Sequence, residues 1–185
     1  MALTTNFLWP LAWLGLLGLP GCHPRSGRAP VLERELLSAD FEKLAGWLPP
    51  PPAGLTTEKA HSGRYAIRVD PEHPYSITYR TPLGRLSPHH RPRRVTLSAW
   101  VWVPGPEGDA RLVVAVYAAS DPDHPFFSKN VFLTDSGPFK AWKQVSRSLD
   151  LPDNIDSNSQ LEIYLWNGGS SVPVYADDLQ LTELW

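Results

Sequence analysis

The closely spaced turn signals after residue 52 constrain the fold most. Short runs rich in Val, Ile, Thr and aromatic residues alternate with clusters of Gly, Pro, Asp and Asn. Examples of the runs are RVTLSAWVWV, ARLVVAVYA and QLEIYLWN, and examples of the clusters are PGPEGD and PDNIDSNS. About ten such runs, with no long helical pattern between them, predict an all-β antiparallel sandwich rather than a parallel sheet, whose strands would alternate with helices.

The segment before these runs is ambiguous. In VLERELLSADFEKLAGWL, residues 31–48, the apolar positions fit a helical stripe nearly as well as two short strands. A short helix over 32–37 therefore stays open. The PPPP run at 49–52 ends any regular structure, since proline lacks the amide hydrogen that helices and sheets need.

Two runs alternate clearly between apolar and other residues. Val95, Leu97, Ala99, Val101 and Val103 share one face of a strand, whereas Trp100 and Trp102 lie on the other. In QLEIYLWN the aliphatic residues at 161, 163 and 165 alternate with Glu162, Tyr164 and Trp166. The aliphatic sets are predicted to form the core, which places aromatic side chains on outward faces.

Overall charge and cysteine content exclude some classes. The formal net charge of -2 offers no basic surface for nucleic acid, so a nucleic-acid partner is not expected. Cys22 is the single cysteine, and no internal disulfide can form. Packing of the core must therefore hold the domain together.

The first 22 residues differ from the rest, because they contain none of the chain's Lys, Arg, Asp or Glu residues. FLWPLAWLGLLGL has the length of a signal-peptide hydrophobic region and is too short to span a bilayer comfortably. The LPGC that follows resembles a bacterial lipobox, which implies cleavage before Cys22 and lipidation of its sulfur. The alternative is a plain hydrophobic leader with an incidental cysteine.

The lipobox resemblance implies three segments: a signal peptide over 1–21, a lipidated tether over 22–34 and a domain over 35–185. HPRSGRAP, directly after Cys22, has the polar and Pro/Gly-containing composition of a tether. The expected location is a bacterial cell envelope, on the outer membrane if the cell is Gram-negative. The membrane is then a partner through the lipid rather than through a spanning helix.

Three short stretches of the domain carry a family resemblance: LLSADFE, AHSGRYAIRV and VYADDLQL. They resemble the non-catalytic carbohydrate-binding modules with a galactose-binding-like jelly roll. The resemblance implies a polysaccharide or glycan partner. It also implies a structural Ca²⁺ held by Glu42, by Asp177 or Asp178, and by carbonyl groups near residues 61–63. Asp177 is in phase with Leu179 and is expected to turn inward. The alternative is that these carboxylates accept hydrogen bonds or pair with Arg or Lys.

Two aromatic pairs are candidates for the glycan contact. Trp100 and Trp102 are two residues apart on a strand, so their rings emerge about 6 to 7 Å apart on one face. Tyr164 and Trp166 repeat that spacing on another strand. Flat rings suit the apolar faces of sugars, and one shared platform is expected. The alternative is that these rings cover the core or lie beneath a loop.

A catalytic constellation is not evident. His61 and Ser62 are neighbours, and neighbouring strand residues point in opposite directions. No G-x-S-x-G or H-E-x-x-H sequence is present. We therefore expect a non-enzymatic glycan-binding protein. A structural or protein-interaction module of an envelope complex is the alternative, and a small hydrolase is a weaker one. HHRPRR at 89–94 is interpreted as a solvated connection, with acidic glycans or phospholipid headgroups as its alternative ligands.

Overall fold

A computed structural model describes residues 32–44, 52–135 and 137–185. The expected signal peptide, the lipidation at Cys22 and the tether up to residue 31 lie outside these residues and stay predictions. Within the described part, no helix has the length and apolar character needed to cross a membrane.

The described residues form two antiparallel sheets, as the turn spacing predicts. Sheet A has the order β2-β3-β10-β5-β8, with β1 also paired to β10, and sheet B has the order β4-β9-β6-β7. The strands are β1 Glu33–Ala39, β2 Leu55–Thr56, β3 Ala66–Val69, β4 Tyr79–Pro82, β5 Arg94–Trp102, β6 Ala110–Ala118, β7 Asp121–Phe132, β8 Trp142–Asp150, β9 Gln160–Asn167 and β10 Val174–Leu184. Two single turns of helix occur, a 3-10 turn at Glu42–Leu44 and α1 at Leu83–Leu86.

The core lies between the inner faces of the two sheets. In β5 the burial alternates along the strand, and Val95, Leu97, Ala99 and Val101 are buried as predicted. Their counterparts in sheet B come mainly from β6 and β9, and together they form one hydrophobic cluster. Within the described residues, the ten strands and this cluster form one β-sandwich.

The ambiguous segment resolves in favour of a strand. Residues 33–39 form β1, which pairs with the end of β10, and the short helix left open for residues 32–37 is not formed. Glu33 and Arg34, expected in the tether, already belong to this strand. Residues 121–125, although rich in Asp and Pro, begin β7.

Strand β10 organises sheet A, because it is paired along both edges. One edge carries β5, and the other carries β3 beside Val174–Ala176 and then β1 beyond the bulge. The pairing with β5 slips between Asp177 and Gln180, and Asp178 adopts a positive φ of 46° there. A bulge of this kind changes which face the following side chains occupy.

The two ends of the sandwich carry different loops. We call one end the entry end, because the described chain begins there at Leu32. The strand register places Trp185, Arg94 and Asp150 at the same end. The far end is defined by the loops 70–75, 103–109, 133–141 and 167–173. Backbone hydrogen bonds join these loops, for example from Gly168 to Asp109 and from Asn167 to Pro74.

We predict that Leu97→Ala lowers the free energy of unfolding by about 2–5 kcal/mol, since it leaves a cavity in a close-packed core. The same substitution at Leu32, which is 61% exposed, should change it by no more than about 0.5 kcal/mol. Urea unfolding of both variants checks this. Equal losses at the two positions would contradict the assigned core.

Candidate functional site

The four aromatic residues predicted to form one platform lie on opposite sides of the sandwich. Trp100 and Trp102 are on the outer face of sheet A, paired with β8 and β10. Tyr164 and Trp166 are on the outer face of sheet B, paired with β6. A single platform of four rings is therefore not formed, although each pair does share one face as predicted. Strand alternation shows that a ring faces outward but not which sheet holds the strand.

The rings on sheet A are covered by the chain's own side chains. The His61 ring stacks on Trp100 with centroids 3.9 Å apart and planes within 10°. The Lys59 ammonium lies 4.7 Å from the Trp102 ring centroid, and Trp142 packs edge-on to Trp102 at 6.1 Å. Trp100 and Trp102 are only partly exposed. These faces are occupied in the folded protein.

A turn at residues 61–65 holds His61 in place over Trp100. Asp177 accepts the backbone N–H groups of His61 and Ser62 at 2.8 and 3.1 Å. Asp178 lies 2.6 Å from both the His61 ring nitrogen Nδ1 and the Ser62 hydroxyl, which donates to it. Glu42 holds the other side of the turn, because its Oε1 accepts the N–H groups of residues 64 and 65, each at 2.7 Å.

Asp177 is buried as expected, with 0% of its surface exposed, but it does not turn into the core. Its register partner is Trp100, whose side chain is on the outer face of sheet A. The bulge after Asp177 breaks the alternation that the sequence suggests between Asp177 and Leu179. The carboxylate is therefore buried beneath the turn at 61–65 rather than between the sheets.

The carboxylates expected to bind calcium already accept hydrogen bonds at this turn. Among the described residues, no group of three or more His, Cys, Asp or Glu side chains is placed to hold a metal ion. Both Asp177 oxygens accept backbone N–H groups, including that of Asp178 at 2.7 Å. Ca²⁺ requires six to eight oxygen ligands. The calcium site expected at Glu42, Asp177 and Asp178 stays a prediction, and binding there would require these hydrogen bonds to be exchanged.

The outer face of sheet B has a buried polar centre. Glu162 is buried on this face, although its strand neighbours Leu161 and Ile163 point into the core. It pairs with Arg80 of the adjacent strand, and burial together with the nearby Glu162 carboxylate raises the pKa of Tyr117. A charged pair of this kind, open on one side, offers both donors and acceptors to a polar ligand.

Aromatic side chains border this centre toward the far end. Tyr164 lies 6.1 Å from Tyr75, which is 57% exposed. Trp166 and Phe132, the latter 42% exposed, flank the Arg111 guanidinium at 5.0 and 4.6 Å. Arg111 is also paired with Asp109 at 3.2 Å, which adds an oriented donor to the face. We call the set consisting of Tyr75, Arg80, Arg111, Tyr117, Phe132, Glu162, Tyr164 and Trp166 the sheet B face.

Sequence reasoning identified Tyr164 and Trp166 but missed the rest of the sheet B face. Glu162 could have been found, since it alternates in phase with both of them in QLEIYLWN. Tyr75 could not, because it lies outside the named strands and reaches the face through an isolated bridge to Trp166. Phe132 is brought there only by the pairing of β7 with β6.

No protein-family model matches the sequence, and no curated protein does either. Solved structures with a similar fold exist. The CBM22-1 xylan-binding domain of Xyn10C from Paenibacillus barcinonensis is 18% identical, with a TM-score of 0.50, over 84% of this chain and 97% of that one. The CBM22-2 xylan-binding domain of the same protein is 15% identical, with a TM-score of 0.50, over 80% and 99%. At these identities the likeness shows the fold: a carbohydrate-binding-module-like β-sandwich.

Burial raises the pKa of Asp177 above its ordinary value of 3.8, despite the N–H groups that favour the charged form. A raised pKa means that the folded state binds the proton more tightly than the unfolded chain, so burying the charge costs stability at neutral pH. Protonation of Asp177 removes this cost. The removal takes place as the pH is lowered from above the folded-state pKa down to 3.8.

We predict that the wild-type protein gains stability relative to Asp177→Asn as the pH is lowered through that window. Urea unfolding at a series of pH values measures the difference. Asp178 and His61 remain in both proteins, so the comparison isolates the carboxyl group at position 177. A difference that stays constant, or one that moves in the opposite direction, would contradict the raised pKa.

Proposed function

We propose that the protein binds glycan on the sheet B face and does not cleave it. The observation that carries this proposal is the aromatic border, formed by the exposed Tyr75 and Phe132 and the partly exposed Trp166, beside the pair of buried Glu162 and exposed Arg80. Rings supply dispersion and CH contacts to the apolar faces of sugars, and the charged pair supplies hydrogen bonds to hydroxyl groups. The two together fix the orientation of a sugar as well as its affinity.

The sheet A rings are a poorer choice for the same role. A sugar could reach Trp100 only by displacing the stacked His61, and Trp102 only by displacing Lys59. His61 is also held by Asp178, so its movement would cost a hydrogen bond to a charged group. The ligand-binding role first assigned to Trp100 and Trp102 stays a prediction, and the proposal is centred on Tyr164 and Trp166.

The contacts of the candidate nucleophile and acids favour a non-catalytic role. Ser62 donates to Asp178 and not to His61, so the two neighbours do not form the Ser–His contact of a nucleophilic site. A cavity of about 470 Å³ between β1, β4 and β9 is lined mostly by apolar side chains, and Asp40 is the only carboxylate in its lining. The two facing carboxylates that glycoside hydrolysis commonly needs are therefore absent from that cavity.

Xylan is the first ligand to test, since the structurally similar domains are named as xylan-binding. We further propose that the protein acts at a bacterial cell envelope, held by lipid on Cys22 and located on the outer membrane in a Gram-negative cell. The LPGC sequence supports this placement. An anchored module of this kind would concentrate polysaccharide at the cell surface.

We predict that Trp166→Ala weakens glycan binding about five- to tenfold, because an aromatic contact of this size is worth roughly 1–1.5 kcal/mol. Trp102→Ala, the matched change on sheet A, should leave affinity within about twofold, since its ring already packs against Lys59. Isothermal titration with xylo-oligosaccharides measures both. Loss of binding in Trp102→Ala alone would move the site to sheet A.

The proposed calcium site has its own test. If Glu42, Asp177 and Asp178 hold Ca²⁺ in the folded state, excess CaCl₂ raises the midpoint of thermal unfolding by mass action, and EDTA reverses it. Glu42→Gln should abolish the shift, whereas Glu107→Gln, an exposed residue of the far end, should retain it. An unfolding midpoint that is identical in CaCl₂ and EDTA would show that the N–H donors alone satisfy these carboxylates.

A further inference from the structure

Two large apolar side chains are exposed side by side at the entry end. Leu32 is 61% exposed and Trp185 is 54% exposed. Reciprocal backbone hydrogen bonds of 3.1 Å join the two residues, so they are neighbours at the edge of sheet A. We call these two residues the entry patch. It lies where the described part of the chain begins.

The Trp185 ring is held in position by its surroundings. The His90 ring lies 4.7 Å from it and the Arg34 guanidinium 5.6 Å from it. Both groups are fixed by Glu183, which is buried and lies 2.7 Å from His90 and 3.0 Å from Arg34. An exposed ring that is already ordered loses little conformational entropy when it contacts a partner.

The charges around the entry patch largely cancel in pairs. Arg94 pairs with Asp150 at 2.6 Å, and Arg91 pairs with Asp153 at 3.4 Å. Such a surface offers little net attraction to a strongly charged partner. It suits the interfacial zone of a bilayer, where tryptophan rings and aliphatic side chains are both accommodated.

The length of the chain before the patch restricts what can cover it. Residues 23–31 separate Cys22 from Leu32, and a fully extended chain spans at most about 3.6 Å per residue. Lipid on Cys22 would therefore keep Leu32 within about 35 Å of the membrane. This tethering gives the patch a high effective concentration at the membrane. A contact with the bilayer that is too weak to recruit the untethered protein then becomes populated.

We propose that the entry patch rests in the interface of the bilayer when Cys22 carries lipid, and this rests on the proposed lipid anchor. The domain then has a preferred orientation. Tyr75, Trp166 and Phe132 are at the opposite end of the strands, so the aromatic border of the sheet B face is directed away from the membrane. The contact positions the glycan site for polysaccharide outside the bilayer.

Site-specific fluorescence quenching tests the contact in the full-length lipidated protein. The sulfur of Cys22 carries the lipid, so a newly introduced cysteine is the only free thiol. Arg93→Cys is exposed at the entry end and remote from Cys22 in sequence, and Glu107→Cys is exposed at the far end. Each carries an environment-sensitive fluorophore, and the proteins are placed in phosphatidylcholine vesicles that contain a nitroxide-labelled phosphatidylcholine.

We expect strong quenching of the label at 93 and none at 107. Adding Leu32→Ser and Trp185→Ser to the Arg93→Cys protein should abolish the quenching while the protein still floats with the vesicles. No quenching at 93 in floating protein, or quenching that survives the double change, would overturn the patch contact alone. If the wild-type protein and Cys22→Ser float equally poorly, the anchor itself fails and the patch proposal fails with it. Glycan titrations on the same proteins report separately on the sheet B face.

Discussion

The outer face of sheet A is organised by the hydrogen bonds that the turn at 61–65 donates to Asp177. Strands β1 and β3 share one edge of β10, and the bulge at Asp177 lies where one pairing gives way to the other. The buried carboxylate holds the N–H groups of His61 and Ser62 over this junction. The turn thereby covers part of the outer face of sheet A and stacks the His61 ring on Trp100.

This closure makes the two outer faces of the sandwich unequal. On sheet A, Trp100 and Trp102 are partly buried beneath His61 and Lys59, whereas sheet B leaves Tyr75 and Phe132 exposed, the latter beside Arg111. The two ends are unequal as well, since the entry end carries Leu32 and Trp185 and the far end carries the aromatic border. The proposed glycan site uses the face and the end with the more exposed rings.

The sequence was sufficient to predict the strands and the core. Aliphatic residues such as Leu97 and Ile163 recur at every second position of their strands, and these positions are the buried ones. It was not sufficient for the site. Period-two alternation assigns Trp100 and Trp166 to outward faces, but the sheet that each strand joins depends on long-range pairing. The bulge after Asp177 also depends on the pairing with β5. The spacing from Leu179 therefore could not show which face of the sheet the Asp177 side chain occupies.

The most direct test follows the tryptophan side chains individually. In a ¹H–¹⁵N spectrum of the protein from residue 22 onward, each of its six indole N–H groups gives its own signal, and single Trp→Phe variants assign them. On titration with xylo-oligosaccharides, or with the glycan that proves to bind, the Trp166 signal should shift while those of Trp100, Trp102 and Trp142 stay in place. Shifts confined to the three sheet A tryptophans, with Trp166 unmoved, would contradict the sheet B site.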